Sequence, residues 1–119
     1  MLSKSFALLL TTFTSSAFAE FAVFYCTDVN WQGTCHHSPP IVGGVCHNME
    51  GGVEQFNNAI SSFGPDEFIT CLVFKAFDCP SNPIENWAQI NYPGIANLRT
   101  IGFDNQISSY RCDYALGGE

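Results

Sequence analysis

The sequence predicts an all-β domain in which two Greek keys pack face to face as a sandwich and are held by disulfides. Three observations carry that expectation. The phrase FNNAISSF, Phe56 to Phe63, returns as FDNQISSY, Phe103 to Tyr110, 47 positions later. Gly and Pro recur at short spacing (Pro39-Pro40, Gly43-Gly44, Gly51-Gly52, Gly64-Pro65, Pro93-Gly94), which leaves room for strands but for no long helix. Six cysteines, Cys26, Cys35, Cys46, Cys71, Cys79 and Cys112, form an even set of the kind that staples a small extracellular fold.

Met1 to Ala19 carries Lys4, the apolar run Phe6-Ala7-Leu8-Leu9-Leu10 and a small-residue end Ala17-Phe18-Ala19, the pattern of a secretory signal cleaved after Ala19. Its apolar part is much shorter than the roughly 20 residues that span a bilayer, so no membrane insertion is expected once it is removed. The remaining chain, 20–119, has the length of one domain. Secretion to an extracellular, oxidising compartment is the expected localisation. Three disulfides follow, but six cysteines allow 15 pairings and spacing alone chooses none.

Phe21-Ala22-Val23-Phe24-Tyr25-Cys26 is aromatic and β-branched and reads as a strand, closed by Asp28, Asn30 and Gly33. Cys71 to Phe77 is a second such run, followed by Asp78, Pro80, Ser81, Asn82 and Pro83. Ser81 to Gln89 has room for one helical turn. An upstream match strengthens the repeat: Cys26, Trp31 and Gly33 correspond to Phe74, Cys79 and Ser81, each 48 residues on. Solenoid arrays generally need at least three repeats, so two copies suit a closed pair. Four short strands per copy make a Greek key, the first over about 20–66 and the second over about 67–119. Within the phrase, strand alternation sets Ile60 and Ser62 on one face and Ser61 and Phe63 on the other.

Beyond the leader the basic side chains are Lys75, Arg99 and Arg111, against eleven carboxylates, a balance of −8. That surplus speaks against nucleic acid and anionic membranes, whose binding relies on basic patches. It suits cations, and equally simple solubility.

Asn57-Asn58-x-x-Ser61 and Asp104-Asn105-x-x-Ser108 each concentrate amide or carboxylate oxygens and a hydroxyl within five residues. Hard cations such as calcium take about 6 to 8 oxygen ligands, more than one phrase supplies. Asx turns and backbone-capping serines explain a single copy equally well. Two copies at equivalent positions favour shared ligation.

Both phrases match the N/D-N/D-x-x-S/T-S signature of the βγ-crystallin superfamily, and the chain resembles that family over nearly the whole of 20–119. Cys26 to Gly33 is similar to its aromatic-x4-aromatic-x-Gly hairpin, with Cys26 for the first aromatic; Phe74 to Ser81 is a degraded copy, with Cys79 for an aromatic and Ser81 for Gly. The resemblance implies two calcium ions at one end of the sandwich. It implies side-chain ligation by Ser61 and Ser108, backbone carbonyl ligation by Ala59 and Gln106, and a side chain from Asn57-Asn58 or Asp104-Asn105 crossing to the neighbouring ion. The carbonyls of Thr27 and Lys75 complete the implied shells. Only Asp104 among the four Asn/Asp positions is charged, and an ammonium at Lys75 opposes a nearby ion unless it points away. Weak sites are therefore expected, with Kd of about 10⁻⁴ to 10⁻³ M. Cys79, standing where an aromatic belongs, is a candidate for anchoring by a disulfide.

Cys35-His36-His37 with Cys46-His47 outlines a zinc cluster, but oxidised cysteines and adjacent histidines argue against one. No nucleophile elbow or metalloprotease motif accompanies the histidines, so catalysis is not expected. Trp31 reads as a hairpin corner; Trp87 has no assigned role. The leading function is a secreted, disulfide-bonded module that binds calcium weakly and mainly for structure. Its rival, also suggested by the resemblance, is an antimicrobial toxin or protease inhibitor that presents Pro39 to Val45 or Pro80 to Pro93 to an extracellular protein target.

Overall fold

The computed structural model describes residues 20–115; the expected signal segment 1–19 lies outside the described residues. Seven strands appear in the order β1 (Val23–Asp28), β2 (Gln32–His37), β3 (Cys46–Asn48), β4 (Ser62–Pro65), β5 (Ile69–Phe74), β6 (Trp87–Asn91) and β7 (Ser109–Tyr114). Helical structure among the described residues is limited to four short 3-10 turns, one of them, Ile84–Asn86, inside the segment expected to hold a helical turn.

Two antiparallel sheets form, β2-β1-β4 and β3-β7-β5-β6. The strands do not stay with their own half of the chain. β3, from the first half, adds to the second sheet through Cys46↔Arg111, His47↔Tyr110 and Asn48↔Ser109. Its counterpart in the second half is a single bridge, Phe63↔Ile95, which joins the first sheet through Phe63 N to Ile95 O (3.1 Å) and Ile95 N to Phe63 O (2.9 Å). The exchange makes two interlocked Greek keys, the second with one residue pair where the first has a strand.

The duplicated halves share backbone as well as letters. Asn30 and Trp31 hold φ of 59° and 61°, while Asp78 and Cys79, 48 residues on, hold 71° and 50°. Positive φ is uncommon in residues other than glycine, so its recurrence at matched positions marks one turn used twice. The first turn folds its tryptophan back over the sheet: an added Cβ at Gly64 would meet Pro93 O at 2.5 Å and the Trp31 ring at 3.1 Å. In the second turn Cys79 is tied by a disulfide to Cys46 of β3, in the same sheet as β5, and the anchor is covalent. Cys26–Cys35 links β1 to β2, and Cys71–Cys112 links β5 to β7.

Between the sheets lies a core of Val23, Tyr25, Met49, Phe56, Ile60, Phe63, Val73, Ile90, Leu98 and Ile107, all buried. Tyr25, Phe56, Phe63 and Tyr110 meet in edge and stacked pairs with centroids 5.1 to 6.3 Å apart. Ile60, Ser61, Ser62 and Phe63 are all buried, so both faces of the phrase are covered. The folded hairpin lies over the phrase, where Ser62 Oγ donates to Asp28 O (3.0 Å).

Candidate metal centre

Each repeated phrase is a turn that delivers a strand. Ala59 N donates to Phe56 O and Gln106 N to Phe103 O, both at 3.1 Å. Within the turns, Asn58 (φ 56°) and Asn105 (φ 57°) take the left-handed conformation. Asparagine tolerates it better than most side chains, which gives these positions a backbone reason for their identity.

The phrases lie against each other. Asn58 N donates to Ile107 O (3.1 Å) and, reciprocally, Asn105 N donates to Ile60 O (2.9 Å). Ser108 Oγ also crosses, donating to Asn58 Oδ1 at 3.1 Å. A pseudo-twofold axis therefore passes between them.

The two serines are placed by equivalent bonds. Ser61 N donates to Cys26 O (2.9 Å) and Ser108 N to Phe74 O (2.8 Å), so each serine sits at the end of β1 or β5. Thr27, still in β1, and Lys75, just beyond β5, are the next residues along the chain. Ser61 and Ser108 are 6% and 5% exposed. The hydroxyls that follow them have a different duty: Ser62 Oγ and Ser109 Oγ donate to Asp28 O (3.0 Å) and Ala76 O (2.6 Å), which fastens each folded turn.

The first position of each phrase carries the informative chemistry. Asn57 Oδ1 and Asp104 Oδ1 are buried oxygens without a hydrogen-bond donor among the described residues. A buried acceptor left unpaired costs about 1 to 3 kcal/mol, and more when charged. Finding this at two symmetry-related oxygens fits a site completed by a cation or by water. No group of three or more His, Cys, Asp and Glu side chains able to hold a metal occurs among the described residues. A site here would draw on amide, hydroxyl and carbonyl oxygens, which calcium accepts and zinc does not favour.

The two ends differ. Beside Ser61 a cleft of about 530 Å³ is lined by Asp28, Val29, Asn30, Gln32, Ser61 and Arg99. At the matching place near Ser108, Asn48 and Asp78 close on each other: Asp78 N donates to Asn48 Oδ1 (2.7 Å) and Asn48 Nδ2 to Asp78 Oδ1 (3.0 Å). The Lys75 ammonium lies over the Phe103 ring, 4.9 Å from its centroid, a cation–π contact that holds the charge against the phrase containing Asp104. Arg99 Nε is 3.4 Å from Asp104 Oδ2. Asp28, Arg99, Asn48 and Asp78 were not singled out by sequence reasoning, because they reach the phrases through long-range turns. The one available signal was Arg99, a rare basic residue five positions before Asp104.

The histidines form no zinc cluster with the cysteines, all six of which are in disulfides. His36 and His47 instead flank a separate cleft of about 460 Å³ that also includes Tyr25, Tyr110 and Glu50. Desolvation by burial is the larger cause that pushes the Tyr25 hydroxyl up, with a contribution from Tyr110; burial raises Tyr110 to about 12 and lowers His47.

This arrangement, with paired Greek keys, exchanged third strands and crossed turns, is the βγ-crystallin fold. Solved domains of that fold superimpose on the chain. One from a study of the evolution of the eye-lens βγ-crystallin domain has a TM-score of 0.60 at 22% identity, covering 82% of this chain and 89% of its own. A βγ-crystallin domain from Flavobacterium johnsoniae gives 0.58 at 18%, covering 82% and 97%. The βγ-crystallin domain of Abundant Perithecial Protein from Neurospora crassa, in a Ca2+-bound form, gives 0.58 at 12%, covering 82% and 92%. No protein-family model and no curated protein matches the sequence.

Proposed function

We infer that the chain is a secreted, disulfide-stabilised βγ-crystallin-like module that binds calcium weakly where its two phrases meet, chiefly to stabilise its own fold. The observation that carries the reading is the symmetry-related pair of buried, donorless oxygens, Asn57 Oδ1 and Asp104 Oδ1. Ser61 and Ser108 would supply hydroxyl oxygens, and Ala59, Gln106, Thr27 and Lys75 main-chain carbonyls. Asn58 and Asn105 hold the turns, and Asn58 already engages the Ser108 hydroxyl. The calcium-bound state of the structurally similar Neurospora crassa domain supports the choice of ion.

The scarcity of carboxylates keeps affinity low, about 10⁻⁴ to 10⁻³ M. An ion that binds only the folded chain adds RT ln(1 + [L]/Kd), roughly 1.4 kcal/mol at ten times Kd. That is modest beside three disulfides. Six cysteines, all paired, suit an oxidising compartment.

Calorimetric titration of the oxidised 20–119 chain with calcium, alongside its melting temperature, tests the reading. Heat of binding and a raised melting temperature are expected, and the double substitution Ser61→Ala with Ser108→Ala should abolish both. No response up to about 10 mM calcium, ten times the weakest expected Kd, rejects calcium binding; an undiminished response in the double variant moves the ion elsewhere.

A further inference from the structure

The two phrases are symmetric in backbone but not in charge. Asp104 is the only carboxylate at the four Asn/Asp positions, and among the described residues it is the one of the four with an ion pair, to Arg99. Asn57, its neutral counterpart, stands across from a half of the chain with glycines, Gly51 and Gly52, where the 47- to 48-residue offset would place a match for Arg99. We propose that Arg99 is a tethered counter-cation that neutralises Asp104 when calcium is absent and thereby sets the calcium affinity of the site. The inference rests on the calcium reading above.

The local structure holds Arg99 in place from both sides. It lies in the 3-10 turn Leu98–Ile101; Asn97 Oδ1 accepts from Arg99 N at 3.1 Å, and Gly102, with φ 77°, lets the chain double back. Phe103 N then donates to Leu98 O (2.9 Å), bringing Asp104 under the turn. Leu98 N donates to Ser61 O (2.8 Å), so the same turn is fixed to the other phrase. Arg99 thus serves both places at once: its Nε contacts Asp104, and the residue lines the cleft at Ser61.

The pair is open at one end only. The Arg99 side chain is 72% exposed and that of Asp104 18%. An exposed ion pair contributes little to folding, so the guanidinium is free to leave the carboxylate. Its charge still opposes a divalent ion nearby. At a separation of about 5 Å in water-like dielectric, screened by salt, that repulsion corresponds to a roughly three- to tenfold loss of affinity. Asp104 Oδ1, the oxygen that Arg99 does not bond, is buried without a donor among the described residues, as is Asn57 Oδ1.

Calcium Kd values measured by calorimetry for wild type, Arg99→Gln and Arg99→Lys, with melting temperatures of the calcium-free proteins, test the proposal. Arg99→Gln should bind about three- to tenfold more tightly, while Arg99→Lys, which keeps the charge, stays within about twofold of wild type. The calcium-free melting temperatures should differ little, because the pair is exposed. Measurable but equal affinities in wild type and Arg99→Gln, or weaker binding by Arg99→Gln, overturn the proposal and leave the calcium reading standing. Absence of binding in both overturns both.

Discussion

Replacing Gly94 by alanine tests the strand exchange on which the sandwich depends. A Cβ there would lie 2.5 Å from Gly64 Cα and 2.7 Å from Phe63 O, both backbone atoms, with the Trp31 ring at 3.0 Å. Neither backbone contact can be relieved by a rotamer change. The Gly94 φ of 108° adds strain for any residue with a side chain, about 1 to 3 kcal/mol. Overpacking adds about 1 to 3 kcal/mol. If the segment moves off to escape, it loses the two Phe63–Ile95 hydrogen bonds, about 0.5 to 1.5 kcal/mol each, so the routes do not add in full. A net loss of about 3 to 5 kcal/mol is expected. With a urea m-value of about 1 to 1.5 kcal/mol/M, the unfolding midpoint falls by roughly 2 to 5 M. Urea unfolding of the oxidised protein, combined with hydrogen exchange at the Phe63 and Ile95 amides, measures both consequences. A midpoint within about 0.5 M of wild type with both amides still protected would refute the packing argument.

Two further outcomes follow from contacts made by β3. Joint replacement of Cys46 and Cys79 by alanine opens a loop of sequence separation 33 and should cost about 3 to 4 kcal/mol in denaturant unfolding; a loss below about 1 kcal/mol means that Asn48–Asp78 pairing alone secures that turn. His47 stacks on Tyr110 at 5.3 Å with Nε2 buried and unpartnered, and burial holds its folded pKa below the ordinary 6.5. The unfolded chain therefore takes up the proton first, so this contribution is whole above about pH 6.5 and is lost as pH falls below it. His47→Gln should flatten that part of the stability–pH curve, and an unchanged slope in the variant assigns it to other groups.

Much of the fold was legible because the duplication is written twice at nearly constant spacing. The 48-residue match of Trp31 with Cys79 is reproduced as matched left-handed turns, and Trp31 is the hairpin corner its sequence context predicts. Cys79, in the place of an aromatic, is indeed anchored by a disulfide. What sequence could not supply was its partner Cys46, or the other two pairings, because these are contacts between distant segments. The single Phe63↔Ile95 bridge left no strand pattern to read. Strand alternation set Ser61 and Ser62 on opposite faces, but a period of two says nothing of a hairpin folded over the sheet, so the burial of both was not legible. At the candidate site, the two phrases were readable as turns at equivalent places. Arg99 on Asp104 and the Asn48–Asp78 closure were not, because local letters carry no record of which exposed side chains a turn brings back.

Anomalous scattering from crystals grown with calcium tests the central claim most directly. The account predicts ion density where the Asn57–Ser61 and Asp104–Ser108 turns cross, within about 2.3 to 2.6 Å of a serine Oγ and a main-chain carbonyl. Well-ordered turns at saturating calcium with no ion between them, or ions bound only at distant surface carboxylates, would contradict it.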